Sequence, residues 1–363
     1  LPLLETVLGH DLAPLDIRTA QLQDHAVYWA DQQSFPVLVA QSGGTAHGVS
    51  VAGLTDDDVA RLNFYEGGFS YELRPVTVQS AQGAVETRVY FPTPGAWPQG
   101  AAWRLDDWEA QWARMILRAA EESMTYYGRL SHEDFARIYP MVCGRAAAWV
   151  AAQAPKPATL RSAQPASGVE IVSSETVHVG FHMLQVQHLR HALFDGGKSE
   201  VLRREVFVSG DAAIVLPYDP KLDRVLMVEQ FRMGPLGRGD PRPWQLEPVA
   251  GRVDPGETPE NAARREALEE AGLTLHDLEH IASYYPTPGS VTDYFHSYIG
   301  LCDLPDAQTD IGGLDAEHED IKTHVLSFEA AMDLLTTGEV DVGPLVLALM
   351  WLQRERPRLR ASA

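Results

Sequence analysis

Two kinds of hydrophobic patterning divide this chain. In its first part, short stretches alternate apolar and polar residues, at 26–30 (AVYWA), 35–40 (FPVLVA), 47–54, 71–79 and 86–91, with Gly- and Asp-rich turns between them. Period-two alternation rich in valine and aromatics predicts strands of a mixed or antiparallel sheet. A helix is predicted over 55–65, where Thr55 can cap and Asp56, Asp57 and Asp58 sit at the positive end. Apolar positions at helical spacing, Trp108, Trp112 and Ile116 and then Phe135 and Ile138, predict two further helices over 106–127 and 132–150. The tryptophans read as core.

Residues 151–168 lose that patterning. Alanine, serine and Pro155, Pro157 and Pro165 replace it, with no apolar face to bury, so the segment reads as a linker. Beyond it, five strand-like stretches, 169–179, 181–191, 199–209, 211–219 and 223–232, precede any convincing helix. Helices are then predicted over 259–271, 327–337 and 343–354. Strands followed by helices indicate α+β layers rather than a doubly wound sheet. The division is therefore a first domain over 1–150, a linker over 151–168 and a second domain over 169–363.

Length and charge agree with two domains. The chain has 363 residues, 45% of them hydrophobic, and a net charge of −21; at roughly 150 residues per domain two cores are expected. A surplus of carboxylates argues against binding duplex DNA. If the ligand is a phosphate, a divalent cation must attract it. Cys143 and Cys302 stand far apart with no CxxC spacing, so neither a disulfide framework nor a thiolate zinc site is indicated. No apolar run approaches the ~18 residues a membrane span needs, and the first residues lack a secretory pattern. A cytoplasmic protein is expected, with upstream residues missing ahead of Leu1.

Residues 250–273, AGRVDPGETPENAARREALEEAGL, carry the chemistry. Gly251 and Gly256 bracket a tight loop, Thr258 is a natural cap, Pro259 opens a helix and Gly272 ends it. On that helix Glu266, Glu269 and Glu270 share a face, where like charges repel unless a cation joins them. Mg²⁺ takes a few carboxylates while leaving positions open for phosphate oxygens.

The spacing of Gly251, Glu257, Arg265-Glu266, Glu269-Glu270, Gly272 and Leu273 resembles the Nudix box throughout. Seven fixed identities at about 7% usage each arise by chance about once in 10⁸ starts. Ala267 stands where a bulkier aliphatic is common, a matter of packing. The resemblance implies hydrolysis of a diphosphate beneath two or more Mg²⁺ or Mn²⁺ ions. Glu266, Glu270 and the Ala250 carbonyl would be metal ligands, with Glu269 acting directly or through water. Arg265 would orient the glutamates, and Glu257 would pair with Arg265 or reach an outer cation.

The pieces RHALFDGG, LRREVFVSGDAAIVLPYDP, VLMVEQFR, GLDAEHEDIKTHVLS and ALMWLQ look like the ADP-ribose pyrophosphatase branch of the family, over 170–355. That branch also contains GDP-mannose hydrolases. Pro286 and Pro288 fall near the position of a proline that marks ADP-ribose hydrolases. By the same resemblance Arg232 contacts the diphosphate, and Arg204 reaches substrate across a homodimer interface. The loop Glu317-His318-Glu319 supplies the general base: Glu317 is assigned that role and Glu319 a metal ligand, with the roles exchangeable and His318 an alternative base.

Residues 54–78, LTDDDVARLNFYEGGFSYELRPVTV, resemble the gamma-glutamylcyclotransferase-like (AIG2-like) family over about 1–100. The family's acid/base maps to Glu66, with Tyr71 and Arg74 as neighbours; its YGxL substrate loop is absent and expected just ahead of Leu1. The two resemblances imply an α+β protein, an N-terminal β-barrel-type domain followed by a Nudix α/β/α sandwich. It would split ADP-ribose into AMP and ribose 5-phosphate. The rivals are hydrolysis of another nucleoside diphosphate sugar such as GDP-mannose, or binding of ADP-ribose without turnover. The N-terminal domain would be a cyclotransferase or purely structural.

Overall fold

The computed structural model describes residues 1–162, 164–306, 311–313 and 320–362. It divides into two compact units, Leu1–Ala154 and Pro155–Ala363.

The first unit opens with helix α1 (Pro2–Leu8), followed by two long strands, β1 (Asp16–Ala30) and β2 (Pro36–Ala52). The stretches predicted separately at 35–40 and 47–54 are thus one strand. Helix α2 (Asp56–Gly67) begins at a reciprocal cap: the Thr55 hydroxyl accepts from the Asp58 amide, and the Asp58 carboxylate accepts from the Thr55 amide. Strands β3 (Tyr71–Ser80), β4 (Gly83–Pro92) and β5 (Gln99–Ala102) precede helices α3 (Leu105–Gln111), α4 (Ala113–Met124) and α5 (His132–Ala152). The helix predicted over 106–127 breaks at Trp112, whose backbone leaves the helical region (φ −120°, ψ −24°). The break lets the Trp108 indole donate to the Ser34 carbonyl (3.0 Å) while α4 packs on α1 and α5. Helix α5 continues through Ala152, into the first residues assigned to the linker.

The sheet of this unit runs β2-β1-β3-β4, with β5 also on β1. The expected barrel does not close, because β2 and β4 share no ladder. The reason lies in β1: β3 pairs it at Ala20 and Gln21 and β5 pairs it at Tyr28 and Ala30, so its second edge is divided between two strands. Ala20, Leu22, Ala46, Val78 and Phe91 form the core on this sheet.

In the second unit, β6 (Val169–Val179), β7 (Met183–His191) and β8 (Leu202–Val208) make an antiparallel three-stranded sheet. There follow β9 (Asp211–Asp219), β10 (Arg224–Phe231), α6 (Met233–Arg238), β11 (Trp244–Glu247), β12 (Val249–Arg252), α7 (Pro259–Ala271), β13 (Asp277–Tyr284), β14 (Tyr294–Leu301), β15 (Ile311–Gly312), β16 (Ile321–Ser327), α8 (Phe328–Thr337) and α9 (Gly343–Ala361). The central sheet runs β13-β14-β9-β10-β16-β15, with β14 parallel to β9.

Strand β9 is buried on both faces, which is why its sequence reads as a continuous apolar run rather than an alternation. Ala213 and Val215 pack with Ala262, Ala263 and Ala267 of α7, whereas Leu216 and Tyr218 pack with Leu345, Leu349 and Leu352 of α9. Helices thus cover both faces, giving an α/β/α sandwich. Helix α9 outruns its predicted end and passes Pro357, because Leu359 is buried and Arg360 donates to Asp223 (3.2 Å).

Strands β9 and β10 pair only beside their hairpin, at Asp219–Arg224 and Tyr218–Val225, and then part. Strand β11 pairs the free edge of β10 and β12 that of β9, with Pro248 between them. This divide at the centre of the sheet is where α7 meets β12.

Candidate active site

Helix α7 is fixed at both ends by its sequence. The Thr258 hydroxyl accepts from the Asn261 amide (3.2 Å), and Gly272 closes the helix in the left-handed region (φ 64°). Ala262, Ala263 and Ala267 have no exposed surface, so the helix lies close against the sheet. The small residue at 267 is therefore part of that close approach.

The helix delivers its carboxylates to β12. Glu266 lies against Gly251: a Cβ built there would stand 1.8 Å from Glu266 Oε1. Glu270 is 2% exposed and accepts from the Ala250 amide at 3.4 Å. On the other side of the helix end, a Cβ on Gly312 would meet the Glu270 carbonyl at 2.0 Å. Gly251 thus admits the Glu266 carboxylate, and Gly312 admits the main chain of Glu270.

Arg265 organises the rest. Its guanidinium donates to Glu257 (3.1 and 3.2 Å), Glu266 (2.7 Å), Glu269 (3.0 Å) and the Arg252 carbonyl (3.0 Å). Burial opposes its charge, but the bonds and charges of Glu257 and Glu266 outweigh that and hold its pKa above the ordinary guanidinium value. Burial raises the Asp254 carboxyl, with Glu257 and Glu269 adding to the rise and Arg265 opposing it. Glu257 therefore pairs with Arg265, one of the two roles open to it.

Beside this cluster lies a cavity of about 670 Å³, lined by Arg232, Glu247, Ala250, Gly251, Arg265 and Glu266 among others. That size suits a small-molecule ligand. Arg232 donates to Glu247 (2.9 Å), a carboxylate that the pattern of residues did not single out. Its signal was a charge at the end of a short, partly buried strand, β11. Phe181 also lines the cavity, with Arg252 5.9 Å from its ring.

Arg204 does not join this group: it is exposed on β8 and donates to the Arg203 carbonyl (3.0 Å). Glu317, His318 and Glu319 lie outside the described residues. Among the described residues no three His, Cys, Asp or Glu side chains gather as metal ligands. Glu266 and Glu270 nevertheless fit a hard divalent cation: both are oxygen donors brought to Ala250 and Gly251 of β12, where the lack of a Cβ at Gly251 admits the Glu266 carboxylate. Further ligands would come from water, substrate or residues beyond those described.

The first unit holds a second cavity, of about 410 Å³, with Glu66 in its wall. Burial pushes the Glu66 carboxyl up to about 7. Tyr71 lines the same cavity, and the Glu66 charge adds to the rise that burial causes in its phenol pKa. Arg74 is not brought there; it donates to Glu72 (2.8 Å).

The fold and this carboxylate helix define a Nudix protein. Residues 208–348 match the NUDIX domain model, and residues 4–110 match the gamma-glutamyl cyclotransferase, AIG2-like model. An ADP-ribose pyrophosphatase of Haemophilus influenzae is 40% identical over 196 residues, covering 53% of this chain and 90% of that protein. An ADP-ribose pyrophosphatase of Escherichia coli K12 is 40% identical over 192 residues, 53% of this chain and 91% of its own length. A GDP-mannose pyrophosphatase of Escherichia coli O1:K1 is 35% identical over 156 residues, 42% of this chain and 80% of its own. The chain belongs to the Nudix hydrolase family, and its first unit matches the AIG2-like model.

Proposed function

We propose that the second unit hydrolyses the diphosphate bond of ADP-ribose, giving AMP and ribose 5-phosphate. The observation that carries this reading is the seating of Glu266 and Glu270 against Ala250 and Gly251, at the edge of a cavity that also holds Arg232. The similarity to two ADP-ribose pyrophosphatases over nine-tenths of their length supports the substrate.

Glu266, Glu270 and the Ala250 carbonyl would hold Mg²⁺ or Mn²⁺, with Glu319 as a further ligand and more than one ion in the complete site. Bound there, the cation neutralises phosphate charge and makes a water molecule acidic. The protein's own groups do the rest. Arg265 holds Glu257, Glu266 and Glu269 in register and offsets part of their mutual repulsion. Glu269 stands ready to orient water. Arg232 leaves Glu247 to bind the diphosphate, exchanging one carboxylate partner for phosphate oxygens. Glu317 takes the proton of the attacking water, with His318 the alternative. Arg204, exposed in a single chain, would reach substrate in a homodimer built through this unit.

The carboxylates gathered at the site, Glu257, Glu266, Glu269 and Glu270, would repel a diphosphate, so the cation serves binding as well as chemistry. Among the described residues no helix is long and apolar enough to cross a membrane; a cytoplasmic site of action, with a nucleotide sugar and no nucleic acid as partner, completes the proposal.

The second reading, hydrolysis of GDP-mannose, is favoured by the similarity to a GDP-mannose pyrophosphatase. Purified protein with Mg²⁺ is assayed on both substrates. A kcat/KM at least ~10-fold higher for ADP-ribose supports the proposal, and equal or reversed preference removes it; tenfold corresponds to about 1.4 kcal/mol of differential transition-state binding. Binding without turnover would leave only trace activity, which Glu266→Gln and Glu270→Gln would not change.

A further inference from the structure

Arg232, Arg252 and Arg265 line the cavity of the second unit, and their guanidinium groups are engaged to different degrees. Arg265 uses all of its nitrogens, on Glu257, Glu266, Glu269 and the Arg252 carbonyl. Arg232 gives Nε and Nη2 to Glu247. Arg252 uses one nitrogen: Nη1 donates to the Gly210 carbonyl (2.8 Å) and to Asp293 (3.0 Å). Among the described residues its Nε and Nη2 have no hydrogen-bond partner. The side chain is 40% exposed, and its guanidinium lies 5.9 Å from the ring of Phe181 in the same cavity wall.

Nε and Nη2 form one edge of the planar group, the edge that takes two oxyanion oxygens side by side. Because Nη1 is held by two acceptors, that plane is set before a ligand arrives. Asp293 pairs with Arg252 through Nη1 and leaves the edge open. Arg252 lies two residues beyond Ala250 on β12, so the two share a face about 6.6 Å apart. The edge is therefore about one sugar ring from the diphosphate position proposed at Ala250. On a nucleoside diphosphate ribose, the groups at that distance are ribose hydroxyls, and the anionic group that a hydroxyl carries is a phosphate ester. Its charge and three acceptor oxygens suit a permanent cation with two parallel donors better than a bare hydroxyl does.

We infer that Arg252 is a specificity-determining residue for a nucleoside diphosphate ribose that bears a phosphomonoester on one of its riboses, with Nε and Nη2 donating to two oxygens of that phosphate. This rests on the diphosphate hydrolysis proposed above. Two esters have this chemistry, a 2′-phosphate on the adenosine ribose and a 1″-phosphate on the terminal ribose. In both, water enters at the bridge between the two phosphorus atoms and the added ester stays intact. The first yields adenosine 2′,5′-bisphosphate and ribose 5-phosphate; the second yields AMP and ribose 1,5-bisphosphate.

The full chain with saturating Mg²⁺ is assayed on ADP-ribose, ADP-ribose 2′-phosphate and ADP-ribose 1″-phosphate. One ester is expected to show a kcat/KM at least ~10-fold above that of ADP-ribose, carried by KM and equal to about 1.4 kcal/mol. Which ester does so names the ribose. In Arg252→Met the ratio of ester to ADP-ribose falls at least ~10-fold, and Arg252→Lys, which keeps the charge without the paired donors, restores a minority of it. In Asp293→Asn the ratio rises, because a carboxylate beside the phosphate is gone. A merely structural Arg252 would lower all three substrates together. Circular dichroism establishes that each variant is folded, and Asp293→Asn carries the test if Arg252→Met does not fold. Equal rates on all three substrates, a preference for ADP-ribose over both esters, or a ratio unchanged in Arg252→Met overturns the inference. If none of the three is hydrolysed, the hydrolase reading fails by itself, and titration calorimetry with the same compounds decides: tighter binding of an ester than of ADP-ribose upholds the role of Arg252, and equal binding removes it.

Discussion

The Glu266 carboxylate occupies the place where a side chain on Gly251 would begin, with 1.8 Å between its Oε1 and a Cβ built at that glycine. The main chain of β12 and a side chain of α7 thus define one another. Gly251→Ala must displace Glu266, since neither the strand nor the carboxylate can share that volume. The expected result is a fall of at least ~10-fold in kcat for ADP-ribose with a higher Mg²⁺ requirement, and little change in thermal stability. Displaced metal ligands cost activity of this order. Unchanged Mg²⁺ dependence would show that Glu266 is not a ligand.

Glu266→Gln and Glu270→Gln keep side-chain volume and remove charge. Each is expected to lower kcat/KM by at least ~10²-fold, because each replaces an anionic oxygen donor to a hard cation. Glu270→Gln also places an amide at a nearly inaccessible position beside the Ala250 amide, so it is expected to lower Tm as well. Steady-state kinetics across Mg²⁺ concentrations, together with melting curves, separate the two effects.

Removing Arg265 has a distinct signature. It bridges Glu257, Glu266 and Glu269 at 2.7–3.2 Å, so Arg265→Met leaves three carboxylates repelling one another. Activity should drop ~10²-fold in low Mg²⁺ and recover in part as Mg²⁺ rises, because added cation screens what the guanidinium no longer does. Arg265→Lys keeps charge but loses the fork of donors, and is expected to restore only a minority of the activity. A loss independent of Mg²⁺ would assign Arg265 to substrate instead.

Glu66 ties the stability of the first unit to pH. Its carboxyl lies at about 7 in the folded chain, raised from 4.5 by burial. The folded state therefore holds a proton that the unfolded state releases above 4.5. The stabilisation is complete below pH 4.5 and is lost as pH rises through 7. Glu66→Gln, neutral throughout, should melt higher than the unaltered protein at pH 8 and close to it at pH 5. Differential scanning calorimetry at both pH values decides; an equal offset at the two would contradict the titration.

Arg145 and Glu122 form a nearly inaccessible ion pair between α5 and α4, 3% and 9% exposed, to which the Tyr126 hydroxyl also donates. Glu122→Ala strands a buried guanidinium and is expected to destabilise the first unit by about 3–5 kcal/mol. Replacing both, Glu122→Leu with Arg145→Met, should cost much less. Denaturant melts of the single and double variants measure the difference.

The chemistry of α7 was legible because its parts are local. Thr258, Pro259 and Gly272 set the helix ends from within one short stretch of chain, and the four-residue spacing of Glu266 and Glu270 places them on one face through the pitch of the helix. Strands β6 and β9 were equally plain, since alternation or a continuous apolar run is written in consecutive residues. The open edge of the first sheet was not. Whether β2 meets β4 depends on how β3 and β5 divide the edge of β1, and no short stretch encodes that division. Glu247, and Tyr90 in the wall of the Glu66 cavity, were missed for a related reason: each is an ordinary residue in its own segment and acquires its role from partners far along the chain.

The amino-acid sequence by itself determined the carboxylate helix and the family to which its spacing belongs, because periodicity, caps and motif spacing depend only on neighbours along the chain. Tertiary structure alone decided that Glu266 rests on Gly251, that Arg232 pairs with Glu247 in the wall of a cavity, that Arg74 stays away from Glu66, and that Glu66 is buried beside aromatic rings. Those relationships depend on which strands part and which helices close over them, a balance of packing summed over the whole fold.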